Sequence, residues 1–287
     1  MLSDIRFILT NKEFRDNFSS LGEKDVLIGL LNIKPSEEYL FLDLVERGVR
    51  IFPSAISQLI SRSKCLQASV YKDFMVPLTF VARDRHDMVQ MINVYGKHNI
   101  GPVITKQNRF NCGLGIHKWE SIEQVYNQAC FGGLTYPFVV QPFVSGIKDV
   151  RVVILGDYIE AYWRHNPNTF RNNLFFGGNC GIYELSKDQL SLCEKVMKRG
   201  KFPYAHIDLM VKDDGTTYLS EINLRGGLKG ARISTAEYEL RIKAIHLYYQ
   251  YSLEQEELMF SFLSHIMNRP DRDKYQLLPN FQFKDNP

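Results

Sequence analysis

The stretch YAHIDLMVKDDGTTYLSEINLRGG, residues 204–227, decides how the chain is read. It holds two β-type runs joined by KDDGTT, where Asp-Gly is a strong hairpin signal. Side chains two apart on a strand share a face, so Glu221 and Asn223 present two oxygen ligands side by side. Asp208 lies among Ile207, Leu209 and Met210, where an ionised carboxylate needs a partner or a metal. On adjacent antiparallel strands, Asp208, Glu221 and Asn223 could share one hard cation. Taken alone, Glu-x-Asn at a strand end is more often a solvated edge, so the rest of the chain has to support the site.

The chain has 287 residues, 45% of them hydrophobic, enough for two domains or one elaborate α/β domain. Its net charge of +3 is weak, and Lys and Arg are spread along the length, so no nucleic-acid groove is expected. The five cysteines are odd in number and lack CxxC spacing, which suits a reduced, cytoplasmic protein. None of the seven histidines falls in an HExxH pattern. No apolar run is long enough for a membrane span, and the N-terminus lacks a signal-peptide layout.

Outward from the hairpin, KDVLIGLLNI (24–33) reads as a buried strand. SEEYLFLDLVERG (36–48) reads as a helix capped by Ser36, and VRIFPS as a second strand. Together they make a βαβ unit, so residues 1–60 form a small open α/β domain. Residues 61–137 carry a helix from 61 with Ser61 or Ser63 at its cap, a Pro-marked turn and strand, an amphipathic helix over 85–98, a strand over 101–108, a glycine-bearing hairpin loop and a helix over 121–130. From 138 to 287 strands dominate, with a hairpin around Gly156-Asp157, helices over 186–200 and 236–251, and an irregular tail over 268–287.

A second chemical group is Lys106, which ends a strand and precedes Gly113 and Gly115 in KQNRFNCGLGI. A glycine loop beside a lysine suits phosphate contact, because backbone N–H groups can approach oxyanions that the ammonium neutralises. The order differs from a P-loop, and a plain hairpin turn is the blander reading of the same residues. Lys64, in the capped helix, and FRNNLFFGGN (170–179) read by themselves as a solvent lysine and an ordinary loop.

In this order the pieces resemble the RimK-like ATP-grasp ligases over roughly residues 25–250. SRSKCLQ (61–67) is similar to the family's S-R-D-K helix, VPLTFVA (76–82) to its P-x-T strand, and Lys106 with GLGI (113–116) to its lysine and G-x-G-[IV] loop. VVQPFVSGIKDVRVVILGD (139–157) resembles Q-E-[FY]-[IV]…D-[IV]-R-x-x-V-[VL]-G, and FRNNLFFGG (170–178) resembles F-R-x-N-x-x-x-G-G. HIDLM (206–210) resembles G-[VI]-D-[IL], and EINLRGGLKG (221–230) resembles E-[VI]-N-x-x-x-G-[LF]-x-G.

The resemblance implies an α/β fold class in the form of an ATP-grasp fold: an N-terminal α/β domain, then two α+β subdomains holding ATP between them. It implies that Lys64 and Lys106 contact the nucleotide phosphates and that the loop at Gly113 and Gly115 covers them. Gln141, Pro142, Phe143 and Val144 would line the adenine pocket, with Asp149 in the following stretch. Asp208, Glu221 and Asn223 would hold Mg²⁺, two ions or Mn²⁺ in their place, and Arg171 and Asn173 would face the transferring phosphoryl group. The implied reaction is ADP-forming ligation of a carboxylate to an amine through an acyl phosphate, with an amino acid or a peptide terminus among the candidate partners and a homo-oligomer possible in principle. A small-molecule kinase and a silent ATP-binding scaffold are the alternatives on this fold.

Two departures stand out. Pro142 replaces the family's glutamate, removing a backbone N–H and a carboxylate. LRGGLKGAR (224–232) replaces small residues and brings Arg225, Lys229 and Arg232 after the metal strand. Arg225 in particular could reach a substrate oxyanion with its paired N–H donors.

Overall fold

A computed structural model describes residues 5–110, 113–172, 174 and 177–254. The chain divides into two compact units, Met1–Pro53 with Val153–Glu160 and Arg232–Pro287, and Ser54–Val152 with Ala161–Ala231.

The first unit is built on a parallel sheet of β1 (Arg6–Ile8), β2 (Asp25–Ile28) and β3 (Arg50–Phe52), in that order. All four residues of β2 are buried, which suits a central strand covered on both faces. Helix α1 (Asn11–Asn17) connects β1 to β2 and opens with a Thr10/Glu13 capping box. Neither β1 nor α1 is anticipated from the sequence, because three strand residues carry too little periodicity. Helix α2 (Tyr39–Glu46) connects β2 to β3. Ser36 does not cap it: Pro35–Glu37 forms a 3₁₀ turn, and the Glu37 carboxylate accepts from Lys34 N at 2.9 Å, so the turn starts before Ser36.

The second unit opens with α3 (Ala55–Arg62) and α4 (Lys64–Val70), two short helices where the sequence suggests one. The break falls at Ser63, whose extended backbone and side chain cap α4. Strand β4 (Phe80–Ala82), helix α5 (Arg85–Lys97), strands β5 (Val103–Gln107) and β6 (Ile116–Trp119), helix α6 (Ile122–Cys130) and strand β7 (Phe138–Pro142) follow. The four strands form an antiparallel sheet in the order β4-β7-β5-β6. Met88, Tyr95, Ile122 and Val125 from the two helices pack with Val103, Phe138 and Val140 on one face of it. Alternation therefore leaves Ile104, Lys106, Val139 and Gln141 on the opposite face.

A second sheet has the order β10-β9-β8-β11-β12. Its members are β8 (Lys148–Leu155), β9 (Tyr158–His165), β10 (Asn179–Ile182), β11 (Tyr204–Val211) and β12 (Thr217–Asn223). Helix α7 (Lys187–Gly200) begins with a Ser186/Gln189 capping box. Helix α8 (Thr235–Glu254) belongs to the first unit, where Tyr249 stacks on Phe52 at 4.0 Å. The tail over 268–287 lies outside the described residues.

Candidate active site

The β11–β12 hairpin pairs Asp208 with Glu221 and His206 with Asn223, so all four side chains leave one face of the sheet. Asn223 Nδ2 donates to Glu221 Oε1 at 3.1 Å. The register shifts just past Asp208, between it and Leu209, so the ladder irregularity sits beside the site. Among the described residues no group of three or more His, Cys, Asp and Glu is placed to hold a metal; the expected set contains two carboxylates and one carboxamide.

Two arginines share the same face. Arg151 on β8 donates to both Asp208 oxygens, at 2.7 and 2.8 Å, in a fork-to-fork pair. Arg164 on β9 reaches Asp208 Oδ2 at 3.1 Å and forks onto Asp149 at 2.9 and 3.1 Å. Asp149 is thus tied to Arg164. Burial works to raise the Asp208 pKa, but the two guanidinium groups outweigh it and hold the carboxyl well below the usual range. For Asp149 burial wins, and its pKa is raised despite Arg164. His206 is pushed down to about 3 by burial and then by Arg151, so its ring is neutral at physiological pH.

The lysines approach from the other elements. Ser63 caps α4 and thereby places Lys64 at the first helical position. Lys64 Nζ donates to the Phe110 carbonyl in the glycine loop and to Glu221 Oε1 at 3.3 Å. The Gln67 amide fixes α4 against β12, accepting from Ile222 N at 3.1 Å and donating to Ile222 O at 2.9 Å. Ser61, free of any capping role, accepts from Leu224 N at 2.9 Å. Lys106 Nζ donates to Ser220 O at 3.3 Å, and burial lowers its pKa to about 8.

The β5–β6 loop needs its glycines. Gly113 and Gly115 have φ of 74° and 69°, and a Cβ on Gly115 would lie 2.8 Å from Gln107 Cβ. Asn108 Oδ1 accepts from Ser63 Oγ at 3.0 Å and ties the loop to the α4 cap. At the end of β7, buried Gln141 donates to Met210 Sδ at 3.6 Å. Pro142 ends the strand, Phe143 N donates to Pro102 O at 2.9 Å, and Lys118 Nζ lies 4.3 Å from the Phe143 ring centre. Val144 follows, half-buried.

The structure therefore brings Lys64, Lys106, Asp149, Asp208, Glu221 and Asn223 together, with the glycine loop joined through Phe110. Arg171 donates to the Ile116 carbonyl at the start of β6. Arg225 is exposed, at the turn where Gly226 packs on His206: a Cβ there would lie 2.6 Å from His206 Nδ1. Lys229 donates to Leu174 O at 3.0 Å, and Arg232 is bound to Glu160 in the first unit. The three basic residues after β12 thus do not act as one cluster. Asn173 lies outside the described residues. Sequence reading gives no role to Arg151, Arg164 or His206. The available signal is the two-residue spacing Asp149-x-Arg151 and His206-x-Asp208, polar residues alternating through otherwise apolar strands.

A family model for the RimK-like ATP-grasp domain matches residues 60–246, and the chain belongs to this family. The probable alpha-L-glutamate ligase of Trichodesmium erythraeum is 28% identical over 194 residues, covering 64% of this chain and 64% of that protein. The chain thus matches less than two thirds of the length of this curated relative. Among solved structures, D-alanine–D-alanine ligase from Bacillus anthracis is similar with a TM-score of 0.55 at 14% identity, over 86% of each chain. An ATP-grasp ligase complexed with its minimal precursor, Mg and ADP gives 0.51 at 18% identity, over 77% of each chain. The fold is the ATP-grasp fold.

Proposed function

We propose that this chain is an ATP-dependent, ADP-forming carboxylate–amine ligase. The observation that carries the reading is the convergence of two buried lysines, Lys64 from α4 and Lys106 from β5, on the strand bearing Glu221 and Asn223. The cations Lys64, Lys106, Arg151 and Arg164 outnumber the carboxylates Asp149, Asp208 and Glu221. A net positive, largely buried site suits a polyphosphate.

Lys64 and Lys106 neutralise the nucleotide phosphates, the Gly113–Gly115 loop covers them, and residues 141–144 border the base. Mg²⁺ would supply charge neutralisation at the phosphates. Asp208, Glu221 and Asn223 fit it as hard oxygen donors on one sheet face, since Mg²⁺ takes few protein ligands beside phosphate and water. In the reaction a substrate carboxylate oxygen bonds to the γ-phosphorus as the bond to ADP breaks. An amine nitrogen then bonds to the acyl carbon, phosphate leaves with the C–O electron pair, and the amine proton passes to solvent. No protein nucleophile is needed; the residues act by positioning and charge stabilisation. Covering the site matters because water competes for an acyl phosphate.

The relative's name makes L-glutamate the first amine to try, with an amino acid or peptide terminus as the carboxylate. The test is a screen of carboxylates against amines for ADP release, with mass analysis of the product. An amide formed with one ADP per bond supports the reading. A phosphorylated alcohol would establish a kinase, and absence of turnover with any pair would leave a binding protein.

A further inference from the structure

β12 is the last strand in its sheet order, so one of its edges pairs with no strand of that sheet. Side chains take the place of one. Ser220, Ile222 and Leu224 alternate along the strand and just past its end, and alternate residues turn their backbone groups to the same edge. Lys106 Nζ donates to Ser220 O at 3.3 Å. Gln67 accepts from Ile222 N at 3.1 Å and donates to Ile222 O at 2.9 Å, and Ser61 Oγ accepts from Leu224 N at 2.9 Å. Three successive edge positions are thus held from β5, α4 and α3, all within the second unit.

Gln67 is the member of this set that holds both the N–H and the C=O of one residue, as a hydrogen-bonded pair on a neighbouring strand would. Its Nε2 also donates to Ile60 O at 2.9 Å in α3, so both amide hydrogens are used, and the residue is 2% exposed. One planar amide therefore joins α3, α4 and β12. It grips Ile222, the residue between Glu221 and Asn223, while Lys64 lies three residues before it at the first position of α4. The 3.3 Å contact of Lys64 Nζ with Glu221 Oε1 closes the circuit of bonds.

We infer that Gln67 is a positioning residue for the ligase site: standing in for a strand at the free edge of β12, it fixes the Glu221 and Asn223 oxygens relative to the Lys64 ammonium. An amide bonded to Ile222 on both sides keeps the strand from sliding or twisting against α4. A cation on Glu221 and Asn223 and a phosphate on Lys64 are then held at one spacing, set before either arrives. The inference rests on the ligase reading for the identity of those ligands only.

The test uses the full chain as wild type, Gln67→Met and Tyr95→Phe, the last removing a 2.9 Å hydrogen bond to Leu78 O in the helix-packed core of the other sheet. AMP-PNP is titrated into each by calorimetry with and without Mg²⁺, and the rate of Lys64 acetylation by acetic anhydride is read by peptide mass. In Gln67→Met the gain in affinity that Mg²⁺ confers is expected to fall tenfold or more, with the Mg²⁺-free affinity within threefold, and Lys64 to react at least threefold faster. In Tyr95→Phe both readouts stay within twofold of wild type. Gln67→Glu, equal in size, keeps the acceptance from Ile222 N and loses the two donations; it shows the same pattern and decides the matter if Gln67→Met does not fold. An unchanged Mg²⁺ gain in the folded variant, a uniform fall with and without Mg²⁺, or an equal loss in Tyr95→Phe overturns the role. A wild type that binds no nucleotide refutes the ligase reading, and the Lys64 reaction, faster or unchanged, then judges Gln67 by itself.

Discussion

Lys106 shows how a single residue acquires its chemistry from alternation. Its neighbours Val103 and Thr105 face a hydrocarbon or fully buried layer, so the ammonium is carried to the opposite face, where burial lowers its pKa to about 8. Phosphate oxygens favour the charged form and raise that pKa. Nucleotide binding at pH 8 is therefore expected to take up about half a proton at this site, and almost none at pH 6, where the lysine is already charged. Calorimetry in two buffers of different ionisation enthalpy measures the uptake, and Lys106→Met should abolish it. Gly226 makes a steric case. Its Cβ would lie 2.6 Å from His206 Nδ1, so Gly226→Ala has to displace the turn carrying Arg225, costing about 1–3 kcal/mol. Part of that stability should return in the double variant with His206→Ala, read by denaturant unfolding.

At the scale of elements, capping and register place the site. The Ser63 hydroxyl sets the start of α4, so Lys64 falls at its first position, and the same hydroxyl holds Asn108 in the glycine loop. Ser63→Ala is expected to destabilise by about 1 kcal/mol and to weaken nucleotide binding several-fold, whereas a cap without a site role would change stability alone. Within the first unit, buried Glu160 accepts from Arg232 N at 2.6 Å, from Ile233 N at 3.3 Å and from Tyr158 Oη at 2.6 Å. Glu160→Ala removes the acceptor these donors share and should cost about 3 kcal/mol in thermal or denaturant unfolding. The β11–β12 hairpin was legible because Asp-Gly marks its turn and Glu-x-Asn its end. Arg164 was not, since two-residue spacing tells which face a side chain leaves from but not which strand lies beside it. Its meeting with Asp149 and Asp208 depends on the neighbour order β9-β8-β11, a long-range property. Ser36 was misread as a cap because Pro35 and Glu37 had already organised the turn.

For the whole molecule, order along the chain carried more information than any one motif. Each match to the ATP-grasp pattern is short, but the sequence helix, strand, glycine loop, hinge strand and metal-type hairpin recurs in the fold, and the family assignment over residues 60–246 agrees with it. No helix among the described residues is long and apolar enough to cross a membrane. Substrate identity was not legible, because it depends on loop surfaces that no motif describes. Glu221 joins the two halves of the site, lying opposite Asp208 and paired with Lys64. Glu221→Ala should therefore abolish turnover while leaving the unfolding midpoint within a few degrees of wild type.

The most direct measurement follows an oxygen atom. Once the screen yields a carboxylate and an amine that release ADP, the carboxylate is supplied with ¹⁸O in both oxygens and the phosphate product is analysed by mass. Transfer of the γ-phosphoryl group to the carboxylate requires one ¹⁸O in inorganic phosphate for each amide formed. Unlabelled phosphate alongside amide would contradict the acyl-phosphate route, and label-free phosphate with no amide would contradict the ligase itself.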